Sequence, residues 1–314
     1  MKVDARIENP KTDSKLFAYT RWDAVPVLAG FAHLAFFLSL FFLFPHLPLW
    51  AMLILGLIYA VAINANINGI SHNFIHSPYF RAPLLNRLFS VVESLACCFS
   101  QTYYDVVHTQ HHKGNSDKKD AETGDTVDWI SIYRHGHDDE AENVWSYVFL
   151  SFFRDNPVAI KRELAKRGEA EVRWGNLELA CFITLLATLA FLNWRFIVFF
   201  LPFMYLGHCF SYLNGYYRHF GGNPDEPIAW GVSTYGKIYN ALFFNNGYHA
   251  EHHFRPSVHW TKMSALQAKI ADAQRAAGTR VIAPPHMFGF LDPNLPEKSR
   301  PLPMQEEAAT ATSS

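Results

Sequence analysis

Four long apolar segments constrain the fold of this chain more than any other feature of its sequence. Residues 27–44 and 49–67 form one closely spaced pair, and residues 179–192 and 196–213 form a second. A helix needs roughly 20 apolar residues to cross the hydrocarbon core of a bilayer, and all but the short third segment approach that length. Unlike the helices of a soluble protein, these segments lack a polar face. They therefore predict an all-α integral membrane protein whose four spans form two transmembrane helical hairpins.

The distribution of lysine and arginine predicts the side of the membrane on which each remaining segment lies. Of the 27 such residues, 5 lie in residues 1–25, 12 in residues 69–176 and 9 in residues 214–314, whereas the two hairpin loops hold none and one. Positive charge concentrates on the cytoplasmic side of membrane proteins. Both termini and the segment between the hairpins are therefore expected on the cytoplasmic side of a bacterial inner membrane or its equivalent.

This topology divides the chain into three parts. A cytoplasmic N-terminal arm (1–25) precedes a membrane domain (26–265), and a cytoplasmic C-terminal tail (266–314) follows it. The end of the tail, residues 306–314, is small and polar and is expected to be disordered, because such a segment buries too little apolar surface to fold.

Eight of the sixteen histidines fall in three tight clusters. The clusters are His72-Asn-Phe-Ile-His76, His108-Thr-Gln-His111-His112 and His249-Ala-Glu-His252-His253. Residues three or four apart share one face of a helix, so the rings of each cluster can converge. Neutral imidazole is a strong ligand for iron, zinc and copper. Eight rings are too many for one ion, and a structural zinc site uses four ligands. The clusters therefore predict two metal ions.

The three clusters, set on two apolar hairpins, resemble the histidine boxes of the membrane fatty-acid desaturase and alkane-hydroxylase superfamily. The resemblance covers roughly residues 20–265 and is specific through the combination of boxes. It implies a cytoplasmic helical cap that holds two non-haem irons, with O2 as co-substrate. The eight histidines that the resemblance assigns to this di-iron centre as catalytic ligands are His72, His76, His108, His111, His112, His249, His252 and His253.

The resemblance also implies a ninth metal ligand after the fourth span. The segment Asn214-Gly-Tyr-Tyr-Arg-His219-Phe-Gly is similar to the Asn-Tyr-x-x-His-Tyr-Gly segment of alkane hydroxylases, which favours His219. His208 is the alternative, although the sequence places it inside the fourth span. Soluble di-iron bundles take their ligands from Glu and Glu-x-x-His pairs, and that pattern does not occur in this sequence.

Other polar residues are expected to support the site or the fold. Asp105, Asp128 and Glu251 are candidates to orient the N–H groups of the ligands. Asn64 and Asn68, at the end of the second span, are expected either to line the polar end of a cavity or to pack between helices. The histidines not expected to bind metal are His33, His46, His135, His137, His259 and His286.

The resemblance implies O2-dependent oxidation of an unactivated C–H bond in a fatty-acyl or long aliphatic chain. Desaturation, hydroxylation, oxidative decarboxylation of free fatty acids to 1-alkenes and oxygenation of carotenoid rings all stay open. A membrane zinc hydrolase or a metal transporter is the alternative of a different class. A transporter should hold its ligands near the bilayer midplane, and a zinc hydrolase should use about three protein ligands. The histidine clusters fit neither pattern.

The partners follow from groups that the sequence lacks. There is no cysteine framework for an iron–sulfur cluster and no GxGxxG nucleotide fingerprint, so a separate electron donor of the ferredoxin, rubredoxin or cytochrome type is implied. The formal net charge of −1 argues against nucleic acid, whose binding requires a basic face. The expected partners are therefore the membrane, a lipid or fatty-acid substrate and the electron donor.

Overall fold

The computed structural model of the chain describes residues 5–114, 124–137, 140–223 and 225–299. Within these ranges the structure is helical, and β-type pairing is limited to two isolated bridges. The helices are α1 (Ala24–Leu43), α2 (Leu49–Ala65), α3 (His72–His76), α4 (Pro83–Cys97), α5 (Gln101–Gly114), α6 (Val144–Leu150), α7 (Pro157–Ala165), α8 (Glu169–His219), α9 (Lys237–Leu242), α10 (His249–Phe254) and α11 (Met263–Ala276). The all-α prediction is confirmed, whereas the predicted disorder of residues 306–314 lies outside the described residues.

Three helical segments are long and apolar enough to cross a bilayer. They comprise Arg21–Leu43, Leu49–His76 and Glu169–His219. The last contains both segments that the sequence predicts as separate spans, 179–192 and 196–213. Its backbone leaves helical geometry at Asn193, where φ is −157° and ψ is 86°. The described part of the chain therefore contains three candidate membrane helices, and the third is interrupted at Asn193, between the last two predicted spans.

The chain reverses direction at the Asn193 break. Phe182 and His208 line the same cavity, although a straight helix would place them about 39 Å apart. Leu189 and Phe200 likewise belong to one apolar core. The two halves of α8 therefore lie side by side.

Aromatic side chains join α1, α2 and α8. The rings of Phe37 and Phe200 stack with centroids 4.5 Å apart, and Tyr59 packs against both. A Cβ atom on Gly207 would lie 2.7 Å from the Cβ of Ile63, so glycine is what allows α8 to approach α2 this closely. The outer surfaces of these helices expose large apolar side chains, among them Leu28, Leu53, Leu57, Ile183 and Phe191. Such a surface suits contact with lipid.

A buried carboxylate fixes α5 against α8. Glu178 accepts hydrogen bonds from the Oγ atoms of Ser90 (2.7 Å) and Ser100 (2.6 Å), and from the backbone N–H and side-chain hydroxyl of Thr102 (both 2.8 Å). The first N–H groups of a helix have no partner within that helix, so Glu178 caps α5 from outside. This contact positions the helix that carries the second histidine cluster.

Candidate metal centre

Nine histidines converge in two adjoining groups. The first group contains His72, His76, His108, His112 and His252, and the second contains His111, His219, His249 and His253. Within each group the ligand nitrogens lie within 4.8 Å of one another. The groups touch where the rings of His112 and His253 stack with centroids 4.5 Å apart. Seven of the nine rings are buried, and His76 and His112 are partly exposed. The structure thus brings together every histidine that the sequence assigns to the metals, His219 included.

Four helical elements deliver these rings. A π-helical turn, Asn66–Ser71, separates α2 from α3 and so changes the direction in which His72 and His76 project. Insertions of this kind inside helices are frequent at functional sites. The second cluster lies on α5, the third forms most of α10, and His219 is the last residue of α8. Tertiary packing therefore brings histidines that are distant in the chain together at one site.

The spacing of the ring nitrogens fits metal ions better than a hydrogen-bonded network. The Nε2 pairs are His76–His108 (2.8 Å), His108–His112 (3.0 Å), His112–His252 (3.0 Å), His219–His249 (3.0 Å) and His111–His253 (3.2 Å). His108 Nε2 and His112 Nε2 each have two such neighbours, yet a neutral ring nitrogen carries at most one proton or one lone pair. Two nitrogens bound at right angles to one ion, each at about 2.1 Å, lie about 3.0 Å apart. The donor set therefore fits metal coordination.

Burial keeps these rings neutral. It lowers the pKa of His108, His252 and His253 well below the usual range, and the charges of the neighbouring histidines lower it further. Only the neutral form of imidazole offers a lone pair to a metal. The electrostatic environment thus favours the ligand form.

The remaining ring nitrogens contact groups that orient the ligands. Asp128 is buried, and one of its carboxylate oxygens lies 2.7 Å from His111 Nδ1. The amide of Asn246 lies 2.6 Å from His72 Nδ1, and His72 Nε2 is buried without a partner. An acceptor such as Asp128 takes the Nδ1 proton of its ring and leaves the Nε2 lone pair for a metal, whereas the Asn246 contact fixes the orientation of the His72 ring. The sequence analysis missed Asn246, which its position three residues before His249 could have suggested.

Two of the three carboxylates expected to orient ligands do not contact the ligand rings. Glu251 accepts from the hydroxyls of Ser233 and Tyr235, both at 2.7 Å, and so anchors α10. Asp105 pairs with Arg167 at 3.1 Å on a partly exposed face. Of the three, Asp128 is the one that contacts a histidine of the site.

The other histidines lie outside both groups. His208 Nε2 donates to the carbonyl of Cys97 at 2.9 Å, which leaves this nitrogen without a lone pair for a metal. His259 contacts Asp23 at 3.0 Å, and His286 Nε2 lies 2.8 Å from the carbonyl of Val232. The remaining members of this set are His33, which contacts Asn66, and the exposed His46, His135 and His137.

A cavity of about 440 Å³ adjoins both histidine groups. Its volume is in the range of ordinary small-molecule sites. Asn68 lines the polar end of the cavity, which is one of the two roles that the sequence predicts for it. The histidines that line it are His72, His108, His111, His208, His219 and His249. Most of the other walls are apolar or aromatic, including Phe99, Val107, Phe152 and Phe182. The cavity therefore joins a nitrogen-rich end to a space suited to an aliphatic chain.

Comparison with known proteins agrees with this geometry. No curated protein matches the chain significantly. The family model for fatty acid desaturases matches residues 48–285, a range that contains all nine converging histidines and every residue of the cavity. Apolar helices of membrane-spanning length accompany the match. The chain therefore belongs to the fatty acid desaturase family, and with it to the membrane oxidoreductases that act on fatty acyl chains.

Proposed function

We propose that the protein holds two iron ions between its nine clustered histidines and uses O2 to oxidise an unactivated C–H bond of a fatty-acyl or similar aliphatic chain. The observation that carries this proposal is the division of the histidines into groups of five and four beside one largely apolar cavity. Iron bound there would supply the O2 chemistry that side chains alone cannot perform.

The composition of the two groups supports two redox-active ions rather than a catalytic zinc. Both groups consist of imidazole alone, a ligand that suits iron, zinc, copper and nickel. A catalytic zinc takes about three protein ligands and keeps an open position, and a structural zinc takes four. A group of five histidines exceeds both numbers, and its contact with a second group supports a two-ion centre.

The protein's own residues prepare the site. Asp128 accepts from His111 Nδ1, so that the Nε2 lone pair of this ring faces the ions, and Asn246 fixes the orientation of the His72 ring. Phe99, Val107 and Phe182 offer apolar walls that bind an aliphatic chain and exclude water. Each buried methylene contributes about 0.8 kcal/mol to such binding.

The proposal includes a topology. The α1–α2 pair and the two halves of α8 would form the two membrane hairpins, with the histidines, the arm and the tail on the cytoplasmic side. Support comes from the reversal at Asn193 and from the lysine and arginine distribution. Reporter insertions at Pro45 and Trp194 should read as external, and one at Gly168 as cytoplasmic. A cytoplasmic reading at Trp194 would overturn the second hairpin.

The electrons would come from a separate donor protein. The described cysteines, Cys97, Cys98, Cys181 and Cys209, are all free and belong to neither histidine group. A ferredoxin, rubredoxin or cytochrome-type donor docking on the cytoplasmic side would therefore complete the reaction.

The test is mass spectrometry of lipids and volatile products from cells that express the protein, compared with cells that express His252→Ala. Wild-type cells should accumulate an oxidised aliphatic product that depends on O2, and cells that express His252→Ala should lack it. A product formed equally by His252→Ala would show that the histidine centre is not the source of oxidation.

A further inference from the structure

Arg218 is a buried cation that forms no ion pair within the described part of the chain. Its side chain is 4% exposed and lines the cavity beside His219 and His249. Nη1 donates to Asn68 Oδ1 at 2.8 Å, whereas Nε and Nη2 have no acceptor. A buried donor without an acceptor costs about 1–3 kcal/mol, and more when it is charged. The missing acceptors therefore point to a ligand.

A network of amides holds the guanidinium in place. The Nδ2 group of Asn68 donates to Asn64 Oδ1 at 2.8 Å and to Ser211 Oγ at 3.0 Å. These bonds turn Asn68 Oδ1 towards Arg218. The guanidinium is thus fixed before a ligand arrives, which reduces the entropy lost on binding.

The charge of this end of the cavity favours an anion. Asp155 is the one acidic residue among those that line the cavity, and it is exposed and forms no ion pair with Arg218. Both groups consist of histidine, which carries no negative charge in either protonation state, so they do not balance the guanidinium. An unbalanced buried charge is costly unless a counter-charge reaches it.

The shape and polarity of the cavity narrow the identity of that anion. Away from Arg218 and the histidines, the walls are mostly apolar or aromatic, as at Phe99, Val107 and Phe182. A small inorganic anion would satisfy the guanidinium and leave these walls empty. A single carboxylate that ends an aliphatic chain satisfies both parts of the cavity.

We propose that Arg218 binds the carboxylate of a free fatty acid at the histidine end of the cavity, so that the acid lies head-first with its chain extending towards Phe152 and Phe182. This inference rests on the proposed function and names its substrate class. Guanidinium pairs with carboxylate through two parallel, charge-assisted hydrogen bonds. An ester or thioester of the same acid carries no negative charge at that position.

Head-first binding fixes the position of oxidation. The carbons next to the carboxylate would lie nearest the histidines, so oxidation should fall on C2 or C3 rather than in mid-chain. The substrate loses two electrons at these carbons, and the separate donor supplies two further electrons, which are accompanied by two protons. These four electrons together reduce O2. For hydroxylation, a C–H bond is replaced by C–OH and one water forms.

Equilibrium binding to the purified protein tests the inference without turnover. Dodecanoate and methyl dodecanoate are compared in the wild type, Arg218→Gln, Arg218→Lys and the control Arg275→Gln, whose side chain lies on an exposed face of α11. The wild type and control should bind the acid about 10–100-fold more tightly than the ester, the range expected for hydrogen bonds to a charged group. Arg218→Gln should bring the ratio close to one, and Arg218→Lys should give an intermediate value.

The ratio is taken within each protein, so a loss of folded material affects both ligands equally. If Arg218→Gln does not fold, the acid-to-ester binding ratios of the wild type and of Arg218→Lys still test the inference. Equal binding of acid and ester by the wild type, or an unchanged ratio in Arg218→Gln, would overturn the inference. Oxidation located in mid-chain would overturn head-first binding and leave the proposed function standing, whereas the absence of any O2-dependent product would count against the proposed function alone.

Discussion

The interior of this protein contains two regions that are built in different ways, the aromatic core and the histidine groups. Between α1, α2 and α8, phenylalanine and tyrosine rings pack without directional bonds, as Phe37 does against Phe200. In the histidine groups, which α3, α5, α8 and α10 supply, the ring nitrogens lie about 3 Å apart, as two ligands of one metal ion do. A packed core tolerates substitutions that conserve volume. A set of metal ligands tolerates no substitution that moves a ligand nitrogen. The two regions should therefore respond very differently to mutation.

The largest expected contrast concerns two histidines of α8. His219→Ala should abolish iron binding in its group and turnover, because its Nε2 lies 3.0 Å from that of His249. His208→Ala should keep measurable turnover, because its Nε2 is bound to the Cys97 carbonyl. Iron content and product formation are measured on both purified variants. A fully active His219→Ala would remove this residue from the ligand set. An equal loss of iron and turnover in both variants would show that the metal centre depends on His208 as well.

A smaller effect is expected when an orienting contact is weakened and the ligands stay in place. Asp128→Asn keeps the size of the side chain but removes the charge that holds His111 Nδ1 at 2.7 Å. Iron affinity or activity should fall about 10–100-fold. The matched control is Asp105→Asn, whose carboxylate pairs with Arg167 instead, and its effect should stay within about twofold. Equal effects in the two variants would show that Asp128 does not orient a ligand.

The smallest functional effect should come from the aromatic core. Phe37→Leu removes a stacked ring contact and should lower the free energy of unfolding by about 1 kcal/mol, with a fall of a few degrees in the thermal midpoint. Iron bound per folded chain should not change. Phe191→Leu is the control, because that side chain is 90% exposed and packs against little. A loss of iron from Phe37→Leu would show that the two regions are not independent.

Local patterns predicted much of both regions. The apolar runs specified membrane-length helices, and the spacing of three or four residues between histidines specified rings on one helical face. The family prediction is confirmed, and the convergence of nine histidines follows the predicted set. Periodicity is a property of neighbouring residues, which is why the sequence alone reveals it.

Contacts between distant residues were harder to predict. Asn246 reaches His72 across 174 positions, and its place three residues before His249 suggests a role near the site but not this partner. Asp105, Asp128 and Glu251 looked equivalent in sequence, and only the fold places Asp128 against a ligand. Arg218 counted as one more positive charge beyond the fourth span, although it is buried without a counter-ion. The Asn193 break, in contrast, lies in the short loop that the sequence predicts between the spans 179–192 and 196–213.

The most direct test of the central claim is the metal content of the purified protein combined with the spectroscopic state of the iron. The account predicts two irons per chain that are magnetically coupled in Mössbauer spectra, and His111→Ala or His252→Ala should lower that number and abolish turnover. Stoichiometric zinc in a fully active protein, or a single iron per chain, would contradict it.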